Sequence, residues 1–318
     1  MAVLAGALVG CAGVSTPRTE SGNVAAAGSP GGGLMAGNDG LVAINGTRLF
    51  VHREGRGEPA IVVHGGPILD HGYLRPHLAA LGDQLELIFY DQRLSGRSAG
   101  AVDSASVRLH TFVEDIEALR AAADAERVHL IAHSWGGLLA MKYAATHPER
   151  LRSMVLISPM PPSSAQWQEE QAAQAALLTP TDTAGAGALR TTSAFVAREP
   201  AAVEAVLRHS FRSQFHDPAL AAVLRFHVEP DYDRRSRQFG YMLPDLLTYD
   251  VRAALARVAV PTLIIYGADE VGARIGGEAL ASALPNVRLV VLDNAGHFPF
   301  IERPDDVLRE IRLHFRRD

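Results

Sequence analysis

A serine, an acid and a histidine stand where nucleophilic catalysis could use them. Ser134 lies in the string AHSWG at 132–136, between an apolar run and a helix-like run. Such a sharp strand-to-helix turn, a nucleophile elbow, needs small residues around the serine, and here alanine replaces the usual first glycine. A hydroxyl needs a base, and the base needs an orienting group. Asp269 and His297 each follow a predicted strand, so we expect them to be that acid and that base.

A second loop could stabilise the negative oxygen of a tetrahedral intermediate. The residues HGGP at 64–67 follow the third predicted strand. Pro67 has no N–H, so the N–H of Gly66 is the predicted donor, partnered by the N–H of Trp135. His64 is expected to brace this loop rather than to transfer protons.

Three nearby groups are weaker candidates. Glu270 is adjacent to Asp269, and Asp293 ends the next strand, but Asp269 lies nearer the end of its own strand. Strand alternation turns His133 away from the nucleophile, so we expect it to pack.

Short apolar runs predict the strands that carry these groups. The predicted strands are 41–44, 47–53, 60–64, 85–91, 128–133, 152–158, 261–267 and 287–293. Helical spacing occurs in 109–123, 135–147, 273–284 and 304–316. Strands that alternate with helices imply a mostly parallel, eight-stranded sheet covered on both faces. The carboxyl ends of its strands should bring the three catalytic candidates to one edge.

Composition predicts a globular α/β core with one insertion. Of 318 residues, 47% are hydrophobic and 20% charged, enough for a sizeable core. We assign the core to 41–160 and 247–318, and we assign an inserted helical cap to 161–246, which is rich in alanine and poor in strands. The net charge of -5 indicates no nucleic-acid surface. With one cysteine and 13 scattered histidines, no disulfide framework, metal site or cofactor is expected.

The amino terminus predicts a lipid anchor. Residues 2–10 are apolar and run into Cys11, where LVGC resembles a bacterial lipobox, although no Lys or Arg precedes the run. The run is too short to span a bilayer. The Gly-, Ser- and Ala-rich segment 12–40 predicts a flexible tether of about 30 Å. We therefore expect 1–40 to be a lipoprotein-type signal and linker, and the protein to be exported and membrane-anchored. The alternative is an incidental cysteine in a disordered tail of a cytoplasmic protein.

Three motifs resemble those of the prolyl iminopeptidase group of α/β-hydrolases. They are HGGP at 64–67, DQRLSGRS at 91–98 and HSWGG at 133–137. The chain order of serine, acid and histidine also matches the α/β-hydrolase fold. Members of the group commonly have glycine where this chain has Ile68 and Leu94. The resemblance covers the core and is weak across the cap.

The resemblance implies a serine aminopeptidase that cleaves an N-terminal residue, often proline, from a short peptide through an acyl-enzyme. Acidic cap residues bind the free amino group in that family, and Glu229 is the candidate here. The alternative carboxylates are Glu169, Glu170, Glu199 and Glu204. An esterase, a lactonase or a carbon–carbon bond hydrolase would use the same triad. A non-catalytic binding protein or a surface-tethered interaction module is the alternative of another class.

Overall fold

One sheet organises the protein. The computed structural model describes residues 39–98 and 103–316. The sheet has eight strands in the order β1-β2-β4-β3-β5-β6-β7-β8. The strands are β1 Gly40–Ile44, β2 Thr47–Gly55, β3 Glu58–Val63, β4 Leu85–Tyr90, β5 Val128–His133, β6 Leu151–Ile157, β7 Thr262–Gly267 and β8 Val287–Leu292. Strand β2 pairs antiparallel with β1 and β4, and the other neighbouring pairs are parallel. The prediction of a mostly parallel, eight-stranded sheet is confirmed.

Helices flank this sheet and fill the interval between β6 and β7. They are α1 Arg75–Leu78, α2 Leu109–Ala122, α3 Trp135–Thr146, α4 Ser164–Ala176, α5 Pro180–Arg190, α6 Ser193–Val196, α7 Pro200–Ser210, α8 Tyr232–Phe239, α9 Leu243–Leu246, α10 Arg252–Leu255, α11 Glu278–Ala283, α12 Pro299–Glu302 and α13 Pro304–Phe315. The helix predicted over 273–284 is divided into a π-helical turn, Ala273–Gly277, followed by α11.

Strand alternation creates two cores, one on each face of the sheet. In β3, Ile61 and Val63 belong to one buried cluster, whereas Ala60 and Val62 belong to the other. All four side chains are fully buried. A strand covered on both faces is apolar at every position, which is why β3 reads as a continuous apolar run in the sequence.

The segment 161–246, which contains helices α4 to α9, is called the cap below. A hydrogen bond from the backbone of the cap to a side chain of the core links the two, because the N–H of His227 donates to Asp70 Oδ2 at 2.5 Å. A second bond runs from Arg235 Nη1 to the carbonyl of Gly96, 2.8 Å away. These bonds hold the cap over the carboxyl edge of the sheet.

In the two described stretches, no helix has the length and apolar character needed to cross a bilayer. Cys11 and most of the predicted tether lie outside the described residues.

Candidate active site

The nucleophile elbow forms where the sequence predicts it. Ser134 stands between β5 and α3 with φ 55° and ψ -120°, a conformation that non-glycine residues rarely adopt. Small neighbours make the turn fit. A Cβ on Gly136 would collide with the carbonyl oxygen of Val63, and one on Gly137 would lie 2.5 Å from Pro159 Cβ. The turn therefore presents the Ser134 hydroxyl above the sheet edge.

His297 contacts Ser134 and a carboxylate at the same time. Its Nε2 lies 3.0 Å from Ser134 Oγ. Its Nδ1 lies 2.5 Å from Glu270 Oε1. Because Nδ1 can donate to the carboxylate, Nε2 is left free to accept the serine proton. The geometry is that of a Ser–His–Glu triad.

The prediction that Asp269 orients His297 is wrong. The N–H of Glu270 bonds back to the carbonyl of Gly267, which makes a tight turn after β7. Within this turn the two adjacent acids point in different directions. Asp269 is half-exposed and pairs with His216 of the cap at 2.6 Å, whereas the Glu270 side chain is only 9% exposed. The longer glutamate side chain turns inward and reaches the imidazole.

Residues of the predicted oxyanion loop face the serine. Gly66, with φ 54°, lines the same pocket as Ser134 and Trp135. Trp135 is the first residue of α3, so its N–H has no acceptor within the helix. Both predicted donors therefore border the space above Ser134.

His64 braces this loop, as the sequence suggested. Its Nδ1–H donates to the carbonyl of Gly65 at 2.7 Å, and its Nε2 accepts the N–H of Gln92 at 3.1 Å. Gln92 in turn donates to the His64 carbonyl and accepts from the Trp135 indole N–H. Burial lowers the pKa of His64 to about 4, so the ring stays neutral. The DQRLSGRS segment thus links the oxyanion loop to the helix behind the nucleophile.

The pocket above the triad contains a cap carboxylate, but that residue is not Glu229. Glu229 pairs with His227 Nε2 at 3.0 Å and is not among the residues that line the pocket. Glu170 of α4 does line it. Burial, and to a lesser extent the nearby carboxylates of Glu270 and Glu169, raise the pKa of Glu170 to about 9.

Helix periodicity carried a signal for Glu170. Trp167 is buried, and Glu170, Gln171 and Gln174 follow it at i+3, i+4 and i+7. Positions with this spacing share one helix face. All three polar residues line the pocket. A buried tryptophan thus marks the face of α4 that turns toward the site, and that face is polar.

Several polar atoms in the pocket have no hydrogen-bond partner among the residues that the structure describes. They are Glu170 Oε1, Gln171 Oε1, Glu270 Oε2, Ser158 Oγ and the Tyr232 hydroxyl. Unsatisfied buried polar groups are rare because each costs free energy. Their concentration in one pocket indicates a site for a polar ligand.

One buried cluster of acids and histidine lies apart from the triad. Potential ligand atoms of Asp70, His71 and Asp91 fall within 4.8 Å of one another. The carboxylate oxygens of the two aspartates already accept hydrogen bonds from other groups of the protein. Asp70 accepts the N–H groups of Gly72 and His227, and Asp91 accepts the His71 ring and the N–H of Arg97. These hydrogen bonds fasten together the loops that carry the three residues.

Most of the chain matches a known protein family. The model of the alpha/beta hydrolase fold family matches residues 59–304. The proline iminopeptidase of Levilactobacillus brevis is 27% identical over 273 residues, covering 77% of this chain and 84% of that protein. The proline iminopeptidase of Heyndrickxia coagulans is also 27% identical, covering 86% and 96%.

Other similar proteins show how varied this group is. A cis-3-alkyl-4-alkyloxetan-2-one decarboxylase of Shewanella oneidensis is 28% identical, covering 85% of this chain and 86% of that protein. The crystal structure of a proline iminopeptidase from Mycobacterium smegmatis superposes with a TM-score of 0.64 at 23% identity, covering 87% of this chain and 98% of that one. At this identity the superposition shows the fold alone.

Proposed function

Because the chain belongs to the α/β-hydrolase family and is a hydrolase, we propose that it is a serine aminopeptidase of the proline iminopeptidase type. Its substrates are short peptides with a free amino terminus. The observation that carries the proposal is a Ser134–His297 contact of 3.0 Å in a pocket that also holds the buried carboxyl of Glu170. Ser134 can attack a carbonyl, and the Glu170 carboxyl can bind the charged amino terminus of the substrate.

The proposed chemistry is acyl transfer. His297 Nε2 takes the proton of Ser134 Oγ while the oxygen attacks the scissile carbonyl, and Glu270 stabilises the imidazolium that forms. The N–H groups of Gly66 and Trp135 hold the negative oxygen. His297 then gives the proton to the leaving amine, and water hydrolyses the acyl-enzyme by the same steps in reverse.

Glu170 replaces Glu229 as the proposed partner of the substrate amine. With its pKa near 9, the Glu170 carboxyl of an empty pocket is neutral at pH 7. An ammonium group that binds beside it favours the ionised form, so binding is coupled to release of a proton. The resulting charge-assisted bond is stronger than a neutral one and fixes which residue lies over Ser134.

The test compares prolyl- and alanyl-naphthylamides with their N-acetyl forms and with nitrophenyl esters. We expect N-acetylation to remove most of kcat/KM, because it removes the charge and adds bulk. Glu170→Gln should shrink the difference between free and acetylated substrates by about one to two decades. Glu199→Gln is the matched control, since Glu199 is an exposed cap glutamate that does not line the pocket.

Equal rates on free and acetylated substrates would instead assign the protein to the esterase, lactonase or carbon–carbon bond hydrolase alternative. A specific observation keeps that alternative in view, because a neutral Glu170 can also donate a hydrogen bond to a carbonyl. Failure of a fluorophosphonate to label Ser134 would leave the non-catalytic binding protein.

The proposal includes a lipid anchor at Cys11, supported by the apolar run and the LVGC string in the sequence. Stable anchoring takes two or more acyl chains. Fractionation of the native host tests it. Membrane association that detergent releases is expected, and a soluble full-length chain with residues 1–10 attached would contradict it.

A further inference from the structure

A buried chain of hydrogen bonds joins the three loops of the site. The N–H of Gly65, in the oxyanion loop, donates to the Tyr73 hydroxyl at 2.7 Å. The Tyr73 hydroxyl lies 2.7 Å from His133 Nδ1, and His133 Nε2 lies 2.9 Å from the carbonyl oxygen of His297. The chain therefore runs from the oxyanion loop, through the residue before the nucleophile, to the loop of the base.

The direction of each bond is fixed by its ends. A backbone N–H can only donate, so the Tyr73 oxygen accepts from Gly65, and its own hydrogen must go to His133 Nδ1. The remaining hydrogen of a neutral His133 is then on Nε2, where a carbonyl oxygen, which can only accept, receives it. Burial lowers the pKa of His133 well below its ordinary value, and the nearby His297 lowers it further. A neutral ring is the form that completes the chain.

The side chains of Tyr73 and His133 are tightly packed. Tyr73 is 3% and His133 2% exposed. Phe298 and Phe300 pack against both rings. A Cβ on Gly65 would lie 2.8 Å from Ser134 Cβ and 2.9 Å from His133 Nδ1, so the oxyanion loop rests directly on the elbow.

We propose that Tyr73 and His133 are positioning residues, which set the oxyanion loop and the base loop at a fixed distance from Ser134. The inference rests on the acyl transfer proposed above, but it does not depend on which acyl group is transferred. Loss of the chain should loosen the oxyanion donors without removing them. The effect should be greater in the transition state than in substrate binding, because those donors meet the negative oxygen only when it forms.

The main test is Tyr73→Phe, which removes one oxygen and keeps the ring. We expect kcat per titrated active site to fall about 10- to 100-fold, below the loss from deleting an oxyanion donor outright. KM should change less than about threefold. Affinity for a boronic acid, which forms a tetrahedral adduct on Ser134, should fall in parallel with kcat. Tyr90→Phe is the matched control, because the buried Tyr90 hydroxyl has no hydrogen-bond partner among the described residues. Its kcat should stay within about twofold of wild type.

Two variants of His133 test its two hydrogen bonds separately. In His133→Gln the side-chain amide can replace the Nε2 donor but not the Nδ1 acceptor, and in His133→Asn the reverse holds. Tyr73→Phe and His133→Gln cut the same bond, so their double variant should be little slower than either single one. His133→Gln carries the same expected kcat, KM and boronate changes as Tyr73→Phe, so it decides the question if Tyr73→Phe does not fold.

Wild-type kcat per titrated site in Tyr73→Phe, or fully additive losses in the double variant, would overturn the proposal. The measurements use whichever substrate class the naphthylamide and ester panel identifies. If the aminopeptidase assignment is wrong, the assay uses another substrate and the kcat ratio of variant to wild type still tests the positioning role. If the positioning role is wrong, that kcat ratio is close to one on any substrate.

Discussion

Glu170→Gln should make the protein more stable at alkaline pH while weakening its binding of amines. Glu170 has an ordinary pKa of 4.5, and burial together with Glu270 and Glu169 raises it to about 9 in the folded protein. Between these two values the folded state binds a proton that the unfolded state has released. The contribution of Glu170 to stability is therefore complete below pH 4.5 and is lost progressively as pH rises toward 9.

The slope gives the magnitude. Each pH unit in this window lowers the unfolding free energy by up to about 1.4 kcal/mol. Glutamine has nearly the same shape and does not titrate. The stability of Glu170→Gln relative to wild type should therefore rise by up to about 4 kcal/mol from pH 5 to pH 8. A constant offset from the new amide leaves this slope unchanged.

Urea denaturation of both proteins at pH 5, 6, 7 and 8 measures the difference, and Glu199→Gln, which changes an exposed glutamate away from the pocket, should run parallel to wild type. A Glu170→Gln difference that is flat with pH would refute the reasoning, because it would mean that Glu170 is ionised when folded. A variant that is more stable but less active on free amines would show the trade-off between stability and activity that is common at functional sites.

Three other predictions follow from the site and the core. Ser134→Ala should lower kcat/KM on the order of 10⁴-fold or more with an unchanged melting temperature, and near-normal turnover would end the triad assignment. Glu270→Gln should lower kcat on the order of 10³- to 10⁴-fold, whereas Asp269→Asn should stay within about threefold, and equal losses in steady-state assays would contradict the corrected acid. Asp115→Asn should destabilise the fold by about 3–5 kcal/mol in urea titrations, because it breaks a buried pair that Arg93 makes with both carboxylate oxygens at 2.6 and 2.7 Å. A loss below 1 kcal/mol would mean that the pair is not closed in solution.

The sheet and the elbow were predictable because both depend on local sequence. A strand buried on both faces is mostly apolar, and β5 and β7 are buried at every position. The elbow needs small residues around Ser134, and those residues are visible in the string itself. The order of these elements along the chain then places His297 opposite the serine.

The carboxylate that contacts His297 and the carboxylate in the pocket could not be predicted from local sequence, because both depend on the direction of a side chain. Asp269 and Glu270 are adjacent after the end of β7, and the turn there sends Glu270 inward and Asp269 to His216. Glu229 and Glu170 both lie in the cap, whose orientation over the sheet is set by contacts distant in sequence, such as that of His227 with Asp70. The hydrogen bond between His133 and Tyr73 could not be predicted for the same reason, since strand alternation does not show which side chain lies beside His133.

The two departures from the family motifs are explained by the backbone. Ile68 and Leu94, which replace the glycines common in the prolyl iminopeptidase group, have φ values of 65° and 66°. Both therefore keep the left-handed conformation that favours glycine, at a cost of order 1–3 kcal/mol each. Ile68 is 5% and Leu94 4% exposed, and both belong to the core on one face of the sheet. Burial of such a side chain contributes about 1.5–3 kcal/mol, enough to offset the strain. Neither residue lines the pocket. The substitutions thus preserve the left-handed turns of both loops without adding a side chain to the pocket.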